Sequence, residues 1–125
     1  LVHDLESKLK KSSWKRVPSS GAIGTNMSEP LLTGDINGSI GSFPKRFKVE
    51  AKVGYGGAKQ MSIKKEWLDK IKAEAQAVKF IPMLVGKFSG ARGGVTQFVV
   101  FDLDTFAEIM NYITALQEML DENGD

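Results

Sequence analysis

An α/β domain with one mixed sheet covered by helices, in the order α-β-β-β-α-β-β-α, is the fold class that this sequence predicts. Three observations carry it. "FKVEAKV" (47–53) alternates apolar and charged residues with the period of a half-buried strand. Ile63, Trp67, Ile71 and Ala75 then repeat every four residues, a helical spacing, just ahead of the apolar run "FIPMLVGKF". A second β-rich run, "TQFVVFDL", passes into a last amphipathic stretch.

The elements follow in chain order. Leu1, Leu5 and Leu9 in "LVHDLESKLKK" give a first helix, and "SSWKRVP" reads as a short strand stopped by Pro18. "SSGAIGTNMSEPLLT" is made of turn formers and reads as a long loop. Strands flanking "NGSIGSFPKR" form a hairpin, the second of them being 47–53. Ser62 is the expected N-cap of a helix from Ile63 to Val78. The strand near Phe80 follows this helical crossover and should run parallel to the Glu50 strand. "SGARGGV" joins it to the next strand. Thr105 and Glu108 fit a capping box for the last helix, whose apolar stripe is Leu103, Phe106, Met110, Ile113, Leu116 and Leu120.

Composition narrows the chemistry. The 125 residues suit one domain, 1–125, and 42% hydrophobic residues suffice for one core. Cysteine is absent, which excludes disulfides, zinc-thiolate sites and thiol catalysis and is compatible with a cytosolic setting. No run approaches the ~18 apolar residues of a membrane span. His3 is the only histidine, so a His-rich metal site cannot be assembled, and a Ser-His-Asp reading fails because "SSG" lacks a nucleophile-elbow pattern and His3 would have to be the base for everything. "GYGGAKQ" lacks the spacing and the G-K-[ST] ending of a phosphate loop. All seventeen Lys and Arg lie at or before Arg92 with only eight acids, a net +9; residues 93–125 carry seven acids and no base. A basic body with an acidic end segment suits a polyanionic partner.

One constellation carries chemistry. On a regular strand Glu50 and Lys52 share a face, about 7 Å apart along the chain. Asp35 stands near the start of the preceding strand, where a hairpin brings it beside Glu50. Two carboxylates at a sheet edge make a hard oxygen site for Mg²⁺ or Mn²⁺. Such an ion lowers the pKa of bound water and stabilises charge building on a phosphate. The plainer alternative is an E-x-K ion pair on a solvated sheet face.

Asp35…Glu50-Ala51-Lys52, followed by a helix and a strand, resembles the PD-(D/E)xK nuclease core, a restriction-endonuclease-like fold. "RVPSSGA", Arg16 to Ala22, is similar to the R-x-P-x-S-G segment of archaeal and phage-type Holliday junction resolvases, and the resemblance spans Lys15 to Phe88. It implies metal-dependent cutting of four-way DNA, with Asp35 and Glu50 binding Mg²⁺ and Lys52 assisting the nucleophile. Ser20 would bring a loop hydroxyl to the phosphate, and Gln60 would touch the metal water or the backbone. Gly34 stands where the family has Pro. The family's first-helix acid falls to Glu6, with Asp4, His3 or a residue before Leu1 as alternatives. Lys15, Arg16, Lys45, Arg46, Lys48, Lys64 and Lys65 are the expected DNA-backbone contacts, and Lys8, Lys10 and Lys11 extend the first cluster.

Paired cuts on a two-fold junction imply a homodimer, with Phe98, Phe101, Phe106, Tyr112 and Met119 as candidate surface. Trp67 is expected in the core or at a dimer contact. The resemblance places the protein in the cytoplasm of a bacterial, archaeal or phage-infected cell. Two other readings stay open: a repair nuclease for flaps, mismatches or duplex DNA, and a DNA-binding protein without catalysis.

Overall fold

The computed structural model describes residues 1–17, 36–54 and 59–123. Eight elements follow in the expected order: α1 (Val2–Lys8), β1 (Ser12–Arg16), β2 (Ile36–Ile40), β3 (Phe47–Val53), α2 (Lys65–Ala77), β4 (Ile81–Lys87), β5 (Gln97–Val100) and α3 (Leu103–Asn123). They build a restriction-endonuclease-like core on one five-stranded sheet ordered β1-β2-β3-β4-β5. Only β3 and β4 pair in parallel; the other three pairings are antiparallel. The long loop read from 19–33 lies outside the described residues.

Period-two alternation divides the side chains between two faces. Phe47 and Val49 of β3 join Leu5, Trp14, Ile36, Ile81, Met83 and Val85 in one buried cluster. α1 covers this face through Leu5, and Phe101 and Ile109 pack against it from the α3 side. α2 covers the opposite face, burying Ile71 and Ala75. β4 is therefore enclosed on both sides, and Ile81 through Gly86 are all buried. A parallel strand sandwiched in this way reads as a continuous apolar run, as "IPMLVG" does. Gly38 is required where Trp14 crosses β2, because a Cβ there would stand 2.2 Å from the indole.

Several boundaries differ from the sequence reading. β2 takes up "INGSI", so the β2–β3 turn is shorter than expected, with Gly41 at φ +48° donating its N–H to the Lys11 carbonyl. α2 begins at Lys65, two residues late, and Ser62 does not cap it; Lys64 holds the N-cap position with no side-chain cap bond. The helix starts where burial starts: Ile63 is 40% exposed, so extending the helix through it would cover little apolar surface.

α3 is capped by Asp102 rather than through Thr105 and Glu108. The Asp102 carboxylate accepts hydrogen bonds from the Thr105 backbone N–H (3.3 Å) and hydroxyl, and its carbonyl receives the Phe106 N–H (3.0 Å). Glu108 turns away to Lys45 (2.8 Å). Lys72 of α2 reaches the same Asp102 carboxylate at 2.8 Å, which ties α3 to α2.

Burial pushes the Asp102 carboxyl up, but the hydrogen bonds from Lys72 and Thr105 together outweigh it and hold the group below its ordinary value of 3.8. The hydrogen bond to Asp102 raises Lys72 above its ordinary 10.5 against the opposing effect of desolvation. A depressed acid stabilises the fold above its unfolded pKa and loses that contribution as pH falls through the folded value. A raised lysine stabilises below its unfolded pKa and loses that contribution as pH rises through the folded value. The bridge is therefore at full strength near neutrality. Asp102→Ala should destabilise the protein by about 1 kcal/mol through loss of the cap alone. Asp102→Asn keeps one capping oxygen and loses the charge and the second acceptor. Its deficit in thermal stability against wild type should be constant at mildly acidic and neutral pH and shrink as pH falls below 3.8; a deficit that does not change with pH would contradict the bridge.

Candidate active site

The alternation that buries Phe47 and Val49 turns Lys48, Glu50 and Lys52 toward α2. Parallel pairing sets Glu50 beside Leu84 and Lys52 beside Gly86. The Lys52 ammonium lies 3.4 Å from Oε1 of Glu50, and the two side chains are only 12% and 14% exposed. Trp67, on the first turn of α2, places its indole 4.8 Å from the same ammonium. The Lys64 ammonium approaches that ring at 5.8 Å. One strand over, the Phe98 ring of β5 lies so close to Gly86 that a Cβ there would clash with it. The pair thus has the Trp67 ring of α2 against its ammonium, while Gly86, the register partner of Lys52, is covered by Phe98 of the edge strand.

Desolvating a carboxylate and an ammonium costs several kcal/mol per ion in full burial, and an apolar pair of similar volume is often as stable or more so. Stability alone therefore does not account for Glu50–Lys52 on this face. The bland alternative, a solvated cross-face ion pair, does not match the burial.

One row over, Lys48 lies opposite Asn37, and Asn37 opposite Lys15. These three share the Glu50 face by alternation. Lys48 is 13% exposed and pairs with Glu74 of α2 at 3.7 Å, a carboxylate that Lys70 also approaches at 3.9 Å. Asn37 Oδ1 is buried without a hydrogen-bond partner. Lys15 is exposed.

The remaining expected site residues are distributed as follows. Asp35 and Ser20 lie outside the described residues, as does 55–58 of "GYGGAKQ". Asp35 immediately precedes Ile36, which pairs with Val49, the neighbour of Glu50. Glu6 and His3 are exposed on α1, the helix whose Leu5 enters the cluster on the other sheet face. Asp4 accepts a hydrogen bond from Gln97 of β5 (3.3 Å). Gln60 is exposed ahead of α2. Arg16 is exposed on β1, Lys45 is engaged by Glu108, and Arg46 lies 5.9 Å from the Phe80 ring. Lys65 pairs with Asp69 on the surface at 2.7 Å. Among the described residues, no group of three His, Cys, Asp or Glu could hold a metal ion. Glu50 supplies one hard oxygen donor, and a divalent site here requires a second.

Trp67 is the site residue that sequence reasoning did not assign. The signal was available: it stands second in the Ile63, Trp67, Ile71, Ala75 stripe of the helix that must cross the Glu50–Lys52 face.

With this geometry in view, comparison with known proteins is informative. Residues 2–120 match the model of a family described as "Phage putative PDDEXK endonuclease". The chain belongs to this family, which makes it a nuclease of the PD-(D/E)xK type. No curated protein and no solved structure is matched. Among the described residues, no helix is long and apolar enough to cross a membrane.

Breaking a mostly buried pair leaves one charge uncompensated, whereas removing both ends does not. Glu50→Gln and Lys52→Met should each lower unfolding free energy by about 1–3 kcal/mol, and the double variant should regain most of that loss. Denaturant titration of the four proteins measures it. Simple addition of the two losses would show that the pair is not coupled.

Proposed function

We propose that the protein is a divalent-metal-dependent endonuclease that cuts branched DNA, with the four-way junction as its substrate. The nearly buried Glu50–Lys52 pair, on the sheet face crossed by α2, is the observation that carries this reading. The chain position of Asp35 supports it. Asp35 is one peptide from Ile36, about 3.8 Å between Cα atoms, and Ile36 pairs with the neighbour of Glu50. Asp35 and Glu50 would hold Mg²⁺, or Mn²⁺ in its place, since both offer only hard oxygen donors. When bound, the ion supplies Lewis-acid stabilisation of the phosphate and lowers the pKa of water.

The protein's own groups divide the remaining work. Phosphodiester hydrolysis forms a bond from water oxygen to phosphorus, breaks the bond to one ester oxygen and moves one proton from the water to the leaving group. Lys52 would orient the water and offset charge on the phosphoryl oxygens. Trp67 keeps the Lys52 ammonium over its ring and so limits where it can point. Ser20 would offer a hydroxyl to the phosphate; Glu6, exposed on α1 over the opposite sheet face, is not carried into the site. Lys15 and Arg16, exposed on β1, and Lys64, Lys65 and Gln60 ahead of and within the first turn of α2, would contact the DNA backbone. Such contacts read shape and charge rather than sequence, which suits a junction.

The test is competition among an immobile four-way junction, a flap and a linear duplex in Mg²⁺. Paired nicks in the junction are expected, and Glu50→Gln should slow them by at least about a hundredfold. Lys15→Ala should weaken binding to all DNAs alike and reduce the slope of log affinity on log salt by about one. Equal cutting of the three DNAs would replace the junction by a broader repair substrate. Full activity in Glu50→Gln would remove the site.

A further inference from the structure

The apolar stripe of α3, Leu103, Phe106, Met110, Ile113, Leu116 and Leu120, faces solvent rather than the core, and nothing in the structure shows what covers it. Of the homodimer surface expected from the sequence, Phe101 and Tyr112 turn inward, and Phe98 lies over Gly86. The interior carries a more specific signal. Among the described residues, two buried side-chain polar atoms have no hydrogen-bond partner, Trp14 Nε1 and Asn37 Oδ1. Trp14 belongs to the apolar cluster and packs on Phe47 at 6.2 Å between ring centroids. A large ring contributes there despite its N–H. Asn37 is not part of that cluster. Leucine has a similar shape and would bury no polar atom, whereas a buried acceptor without a donor carries its full desolvation cost.

The position of Asn37 narrows what the oxygen is for. Ile36 and Gly38 turn toward Trp14 and the cluster, so Asn37 between them turns to the Glu50 face. It lies opposite Lys48, which puts Glu50 on the diagonal, about 7–8 Å away. In the chain it follows Asp35, the second acid of the proposed site, by two residues, the spacing of side chains on one strand face.

Few donors can serve this oxygen. DNA phosphates have no hydrogen to give. The Lys48 ammonium is engaged by Glu74 and that of Lys52 by Glu50, and neither bonds Asn37. Water remains, and Mg²⁺ keeps several of its waters when a protein binds it. We propose that Asn37 is a positioning residue of the divalent-ion site, its Oδ1 accepting a hydrogen bond from a water carried by the ion that Glu50 holds. This rests on the nuclease reading and adds to it a residue outside the acid–lysine motif. The oxygen is already out of bulk water before the ion arrives, so it is a preorganised acceptor. Partners of this kind orient what the metal holds, and losing one weakens metal binding by about ten- to a hundredfold.

Mn²⁺ binding to the full chain, read from the loss of the free-ion EPR signal, tests the proposal without DNA and without turnover. Asn37→Leu should weaken Mn²⁺ binding by at least about tenfold. Its melting temperature in metal-free buffer should equal or exceed that of the wild type, because an apolar group replaces an unpaired acceptor. Asn37→Ala, which adds no bulk, should lose the same affinity. Asn37→Asp keeps an oxygen in place and should bind Mn²⁺ at least as tightly as the wild type. A lowered melting temperature in Asn37→Leu with unchanged Mn²⁺ affinity would give the oxygen to the fold, through a structural water, and overturns the proposal. Glu50→Gln separates this inference from the reading beneath it. Binding lost in Glu50→Gln but intact in Asn37→Leu removes Asn37 alone, whereas a wild-type protein that binds no Mn²⁺ removes the metal site and Asn37 with it.

Discussion

The parallel pairing of β3 with β4 is the constraint on which the rest of this structure depends. Two parallel neighbours need a connection that crosses the sheet, and here α2 makes it. That crossover fixes which face of β3 is covered by a helix and sends Trp67 and Glu74 over the Lys48–Glu50–Lys52 row. It also encloses β4 on both sides, so that a strand apolar from Ile81 to Gly86 forms the neighbour of the charged one. A charged pair held against such a wall has few alternative positions. Preorganisation of this kind is what a hydrolytic centre needs, since charge that must rearrange during reaction stabilises the transition state less.

The same arrangement explains why Glu50 and Lys52 are so little exposed. The Trp67 indole excludes water at its side while accepting the Lys52 ammonium electrostatically, which a purely aliphatic wall could not do. The surrounding lysines are mostly committed: Lys48 to Glu74, Lys45 to Glu108, Lys72 to Asp102. The basic character of the first 92 residues thus serves internal ion pairs as well as any polyanion. Lys15 and Arg16 are exposed on the edge strand.

Elements whose pattern is dictated by the sheet were legible in the sequence. β3 was read correctly because alternation over seven residues can satisfy only one buried face, and the β3–α2–β4 crossover followed from a helical period between two strands. The start of α2 was not legible, because Ser62 carries a local capping preference that burial at Trp67 overrides. The cap of α3 was missed for a similar reason. Thr105 and Glu108 satisfy the local motif, but Lys72, thirty residues upstream of Asp102, supplies a tertiary partner that no local window contains. Nor could periodicity tell whether the α3 stripe faced the core or solvent, because both require the same spacing. At the candidate site, Glu50 and Lys52 were legible as same-face residues, while their burial and the approach of Trp67 depend on how α2 crosses the sheet. Asp35 and Ser20, which come from sequence and family resemblance, lie outside the described residues.

The account holds that the Glu50–Lys52 pair exists for chemistry rather than for the fold. The most direct measurement is single-turnover cleavage of a bound four-way junction in Mg²⁺ by the Glu50→Gln/Lys52→Met double variant, with its DNA affinity and unfolding free energy measured alongside. The account predicts near wild-type stability and affinity with cleavage lost. A double variant that is unstable but still cuts once folded would contradict it, and the pair would then be structural.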